Sequence, residues 1–213
     1  IREVWRIALA LVDDAFGPQA GVVERLHLFE KIDPREIGVL RQMFATGLNT
    51  ISAHGAGRYF DAIGALLFSR QRASFEGQVA LLLNNIAAPL DTGSYEFDLD
   101  RSGAPWLLDL RPMVRQIAED LLSGTDHARI AACFHNTLIA GTAAMIRAAA
   151  EVHGRLPVVL TGGCFQNPRL AEGIAAALCE ISPVFLNRIV PPGDGGIALG
   201  QAMIARVAAE AKG

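Results

Sequence analysis

Apolar residues recur at helical spacing through most of residues 1–90. Val4, Ile7, Ala8, Leu11 and Ala15 share one face, which predicts a helix over residues 2–16 that Gly17-Pro18 ends. A short helix is expected over 20–29. Asp33-Pro34-Arg35-Glu36 then reads as a capping box that launches a helix through Ile37, Leu40 and Phe44. After a loop, TISAHGAG at 50–57, residues 58–68 place Tyr59, Phe60, Ile63, Ala65, Leu66 and Leu67 nearly all round a helix, so that helix should be buried. A turn at 69–74 precedes a further helix over 75–88, closed by Pro89.

Beyond residue 90 the pattern changes. Tyr95, Phe97 and Leu99 alternate with Glu96, Asp98 and Asp100, which predicts a half-buried edge strand over 92–100, with WLLD at 106–109 as a companion. Pro112 opens a helix to Leu122, and residues 127–152 form the longest helix, rich in alanine and glycine and ended by His153-Gly154. Val158, Val159 and Leu160 form a short β-branched run that reads as a buried strand stopped by Thr161-Gly162-Gly163. Asn167 is placed to cap a helix with Pro168 in its first turn and Leu170, Ile174 and Leu178 along one face. A short strand near 184–188, the PPGDGG turn at 191–196 and a helix over 197–207 complete the order. The chain thus divides into a mainly helical part, 1–90, and an α/β part, 91–213, with two glycine-rich turns.

Composition narrows the function classes. With 213 residues, 51% apolar, the chain can bury a sizeable core. Its 19 Lys and Arg face 22 Asp and Glu, so no basic surplus exists to neutralise a nucleic acid backbone. Charge or proline breaks each apolar stretch before it could span a membrane. Arg2, Glu3 and Arg6 also interrupt any signal peptide at the start. The three cysteines, with no CxxC, suit a reducing cytoplasm better than a disulfide framework or a zinc site. Because Ile1 already lies inside a helical pattern, the chain is expected to be a fragment of something longer.

A strand, a glycine pair and a helix start make a geometry that leaves backbone N–H groups open to an anion, and the PPGDGG turn adds a carboxylate. The two turns suggest a nucleotide or phosphate cleft, although neither GxGxxG nor GxxxxGK[ST] is present. Asp194 reads either as a side-chain cap of its turn or as an oxygen ligand to a metal. Asp61, inside an apolar helix, must face a cleft or a partner such as Arg58. Glu76 beside Gly77 is either a helix-dipole carboxylate or a group at a closely approached surface. Asn167 could cap its helix or donate to a ribose or base. His135 and His153 read as a helix-face and a C-cap histidine, while His54 lies in the glycine-rich loop. Cys164, beside the anion turn, has no base partner visible in sequence.

In order along the chain, GRYFDAIGALL, ASFEGQVA, TGGCFQN and PPGDGGIALGQ resemble the motifs of the C-terminal carbamoyltransferase domain of the HypF family, and the opening VWRIALALV agrees. The resemblance implies part of an actin-like ATPase fold, mostly its helix-rich second subdomain, related to the family that transfers threonylcarbamoyl to tRNA. It also implies an enzyme of [NiFe]-hydrogenase maturation that uses ATP and carbamoyl phosphate to form carbamoyl adenylate. The carbamoyl group then passes to the C-terminal cysteine of a HypE-like acceptor. By the same resemblance Asp61 contacts the ribose, Glu76 and Gly77 lie at the adenosine, and Gly162 and Gly163 flank the nucleotide. Asn167 goes to the base or ribose side, and Asp194 to a divalent metal, iron or zinc, completed by histidines outside this chain. No catalytic residue is assigned.

The departures matter too. No HHxHxA-like segment is present, the loop TISAHGAG replaces a serine-rich one, and Cys164 stands where a small or aliphatic residue is usual. A non-catalytic or divergent nucleotide-binding partner of the same fold is therefore the alternative. The expected partners are the remaining HypF domains and the acceptor, with self-association possible through the face left open.

Overall fold

In the computed structural model, residues 2–210 are described, and they fall into two compact units divided after Gly141. In the first, α1 (Val4–Phe16) buries Val4, Trp5, Ala8, Leu9, Val12 and Ala15; of the face expected, Val4, Ala8 and Ala15 are buried, whereas Ile7 and Leu11 are half-buried and Trp5, Leu9 and Val12 take their place. It packs against α3 (Ala56–Leu67) and α5 (Arg111–Ser123). The next helix in sequence, α2 (Pro34–Thr46), is capped at its start by Asp33, whose Oδ1 accepts the Arg35 N–H at 2.8 Å. Arg41 of α2 then grips Asp13 of α1 with two bonds of 2.9 Å. The helix expected over 20–29 resolves into two 3-10 turns, Val23–Arg25 and His27–Phe29, because Leu26 between them is extended.

Every residue of α3 from Phe60 to Leu67 is buried, as an all-round apolar helix requires. Against it lies α4 (Gln78–Ile86). The approach is close: a Cβ on Gly64 would sit 2.8 Å from the Val79 carbonyl oxygen. The first part of α6 (His127–His153) completes this core, with Phe134 edge-on to Phe60 at 5.0 Å and His135 beside both.

The strand expected over 92–100 shrinks to β1 (Asp98–Asp100), antiparallel to β2 (Leu107–Asp109) with Leu99 opposite Leu108. Side chains explain the loss. Thr137 Oγ1 accepts the Tyr95 N–H and Gln116 Oε1 accepts the Glu96 N–H, each at 2.8 Å, so these amides are withdrawn from any ladder.

In the second unit, β3 (Val158–Leu160) pairs in parallel with β4 (Val184–Leu186), and α7 (Pro168–Leu178) buries Leu170, Ala171, Ile174 and Leu178. Contrary to the buried-strand expectation, Val159 is 63% exposed, as is its register partner Phe185 at 55%. The last helix, α8 (Ile197–Glu210), carries no buried residue. Among the described residues, no helix is long and apolar enough to cross a membrane.

Candidate functional site

The two glycine turns of the second unit form one assembly. After β3, Gly162 takes φ +109°, a conformation an L side chain resists, and the chain drops into a 3-10 turn, Gly163–Gln166. That turn begins at the second glycine and leads to Asn167, the cap of α7, where the sequence placed the helix start. The Gly162 N–H is donated to the Pro192 carbonyl at 2.7 Å, and the Thr161 hydroxyl reaches the same oxygen at 3.3 Å. Gly162 is thus corrected from an open amide donor to a bend whose amide is already engaged. On the facing turn, a Cβ at Gly193 would lie 2.8 Å from Gln166 Nε2 and 3.5 Å from the Gly163 Cα. Thr161 was missed as a tie between the turns; its adjacency to Gly162 was the available signal.

Asp194 begins a 3-10 turn, Asp194–Gly196, that leads into α8. Its mount admits little else: a Cβ at Gly195 would meet Pro191 Cγ at 2.9 Å, and one at Gly196 would meet the Pro191 carbonyl at 2.8 Å. The Asp194 side chain is exposed and has no hydrogen-bond partner among the described residues, so it does not act as a cap of its turn. No three His, Cys, Asp or Glu residues cluster among the described residues. One carboxylate alone does not make a metal centre. Asn167 does cap α7, accepting the Leu170 N–H at 3.2 Å, while its Nδ2 is buried without a partner among the described residues. Cys164 is half-buried in the 3-10 turn.

In the first unit the candidates gather where α3 meets the start of α4. Asp61 is 6% exposed and ion-paired to Arg58, Nη2 to Oδ2 at 3.0 Å, the partner its apolar surroundings demanded. Burial pushes the Asp61 carboxyl above its ordinary range, the Arg58 charge opposes this, and Glu76 adds to it. Glu76 is exposed and precedes Gly77, whose left-handed φ of +78° caps α4 from outside. Glu76 therefore lies ahead of the first turn, and its dipole role is set aside. The Gly64 approach sets α3 close against α4 at Val79, and Glu76, just ahead of α4, acts electrostatically on Asp61; an isolated glycine in a buried helix was the signal for the approach. His135 is the helix-face residue expected, its Nδ1 2.6 Å from the Ala131 carbonyl oxygen. His54 is exposed in its loop.

Residues 1–201 match the model of the second subdomain of the Kae1-like carbamoyltransferase domain. The chain belongs to that family. It is 36% identical over 204 residues to the carbamoyltransferase HypF of Rhodobacter capsulatus, covering 95% of this chain and 25% of that protein. It is 34% identical over 233 residues to HypF2 of Cupriavidus necator, covering 96% of this chain and 27% of that one. A crystal structure of full-length HypF in the phosphate- and nucleotide-bound form superposes with a TM-score of 0.86 at 32% identity, over 96% of this chain and 26% of that chain. The helix-rich α/β architecture is accordingly that of the second subdomain of an actin-like ATPase fold. This Kae1-like subdomain spans about a quarter of the length of these relatives.

Proposed function

We propose that this chain forms one wall of the nucleotide site of a carbamoyltransferase of hydrogenase maturation, acting together with further HypF-type domains. The acceptor is the C-terminal cysteine of a HypE-like protein. The observation that supports this most is the joining of the two glycine turns through the Gly162 to Pro192 hydrogen bond. It sets a flat glycine surface beside a free carboxylate, in a family with a relative solved with phosphate and nucleotide bound.

In this reading Asp61 accepts from the ribose hydroxyls, and Gly77, lacking a side chain, lets the adenosine approach with Glu76 at its edge. Gly162 and Gly163 give the phosphate room, and the unpaired Asn167 Nδ2 donates to the base or ribose. The acceptor thiolate attacks the carbamoyl carbon of carbamoyl adenylate, and the bond to the phosphate oxygen breaks to release AMP and leave a thiocarbamate. Asp194 supplies one oxygen toward a divalent ion, iron or zinc, whose other ligands come from outside these residues; that ion would neutralise phosphate charge. A cytoplasmic setting fits three cysteines that form no disulfide.

The test is AMP release by the full-length protein given carbamoyl phosphate, ATP and the acceptor. Release that depends on the acceptor cysteine, and fails in Asp194→Ala, is expected. Nucleotide binding with no transfer to any thiol would favour the non-catalytic alternative.

A further inference from the structure

Arg58 stands where helix chemistry disfavours a cation. Because α3 begins at Ala56, the guanidinium belongs to the first turn, at the positive end of the helix dipole. Its partner Asp61 follows three residues later, the order opposite to the one that reinforces a helix. The side chain is 28% exposed, and its Nη1 is buried with no partner among the described residues. An unsatisfied donor of that kind is a loss in its own right. What offsets these losses is the Nη2 bond to Asp61 Oδ2 at 3.0 Å.

We propose that Arg58 is a positioning residue for the nucleotide, holding the Asp61 carboxylate as a fixed, charged acceptor for the sugar hydroxyls. This rests on the reading of Asp61 given above. Among the described groups on elements packed against α3, Glu76 ahead of α4 bears on Asp61 and favours its neutral form. Asp14 of α1 bears instead on Tyr59. Burial acts in the same direction as Glu76, and Arg58 opposes both. Without the arginine the carboxylate would hold its proton to higher pH, and the sugar would lose an ionised acceptor as pH falls.

The experiment is ATP affinity by calorimetry across a pH range, for the full-length protein as wild type, Arg58→Gln, Arg58→Lys and Asp61→Ala, with thermal melts as the check on folding. Arg58→Gln should bind more weakly than wild type at the acid end of the range and recover as pH rises, its binding profile displaced to higher pH, because a carboxyl that keeps its proton longer loses its acceptor charge first at low pH. Arg58→Lys should fall between the two. A loss of equal size at every pH, or no loss at any pH, overturns the proposal. If Arg58→Gln does not fold, Arg58→Lys carries the test: its profile should move to higher pH, and an unmoved profile is the contrary result. Asp61→Ala separates the two levels of argument. Unchanged affinity there removes Asp61 from the site, whereas weakened binding beside an Arg58→Lys protein identical to wild type overturns only the role of Arg58.

Discussion

Replacing Gly64 by alanine tests whether close contact between α3 and α4 organises the first unit. The new methyl carbon would stand 2.8 Å from the Val79 carbonyl oxygen and 2.9 Å from its Cβ, so a backbone must shift. Overpacking of this kind costs about 1–3 kcal/mol. Alanine in place of glycine in a helix returns roughly 1 kcal/mol. The net expectation is a loss of up to about 2 kcal/mol. Gly38, exposed in α2 with nothing within 4 Å of its would-be Cβ, supplies the control, and Gly38→Ala should stabilise by about 0.5–1 kcal/mol. Trp5, 4% exposed on α1, which packs against α3, reports unfolding of this unit by fluorescence in urea. Opposite signs for the two alanines are expected. If Gly64→Ala proved as stabilising as Gly38→Ala, the contact would not constrain the fold.

Other outcomes follow from single features. Arg41→Ala should destabilise by about 2–3 kcal/mol in urea titrations, with little salt dependence, because it strands an Asp13 side chain that is only 9% exposed. Asp61 has a raised folded-state pKa, so its stabilising share is present below the unfolded value and is lost as pH rises through the folded one. The stability of Asp61→Asn relative to wild type should therefore climb as pH rises above about 4; a flat difference would contradict the shift. The 213-residue chain made alone should self-associate through α8, where Ile197, Leu199, Met203, Ile204 and Val207 are each more than half exposed. Ile204→Glu with Val207→Glu should lower the scattering mass, and a clean monomer of the unaltered chain at high concentration would be the opposing result. Elemental analysis should find one iron or zinc in the full-length protein and less in Asp194→Ala.

Periodicity located the long helices where a buried stripe is shown by the spacing, as in α7, and located α8 although that helix buries no residue. It overshot at residues 92–97, where alternation was correct for burial but the amides of Tyr95 and Glu96 bond to Thr137 and Gln116, far away in sequence. No local pattern encodes such partners. In the site, the Arg58 to Asp61 pair was legible, since a carboxylate in an apolar helix needs a counter-charge within reach, and three residues along a helix is within reach. The engagement of the Gly162 amide by Pro192 was not, because it depends on bringing together two turns thirty residues apart.

Equilibrium ATP binding by the full-length protein, compared with the same protein carrying Asp61→Ala, tests the nucleotide-site reading most directly. Wild type should bind, and the variant should bind at least roughly tenfold more weakly with an unchanged melting profile, as expected for loss of charged hydrogen bonds to a ligand. Equal affinities would contradict the placing of Asp61 at the nucleotide, and no ATP binding by the wild type would contradict the nucleotide-wall reading itself.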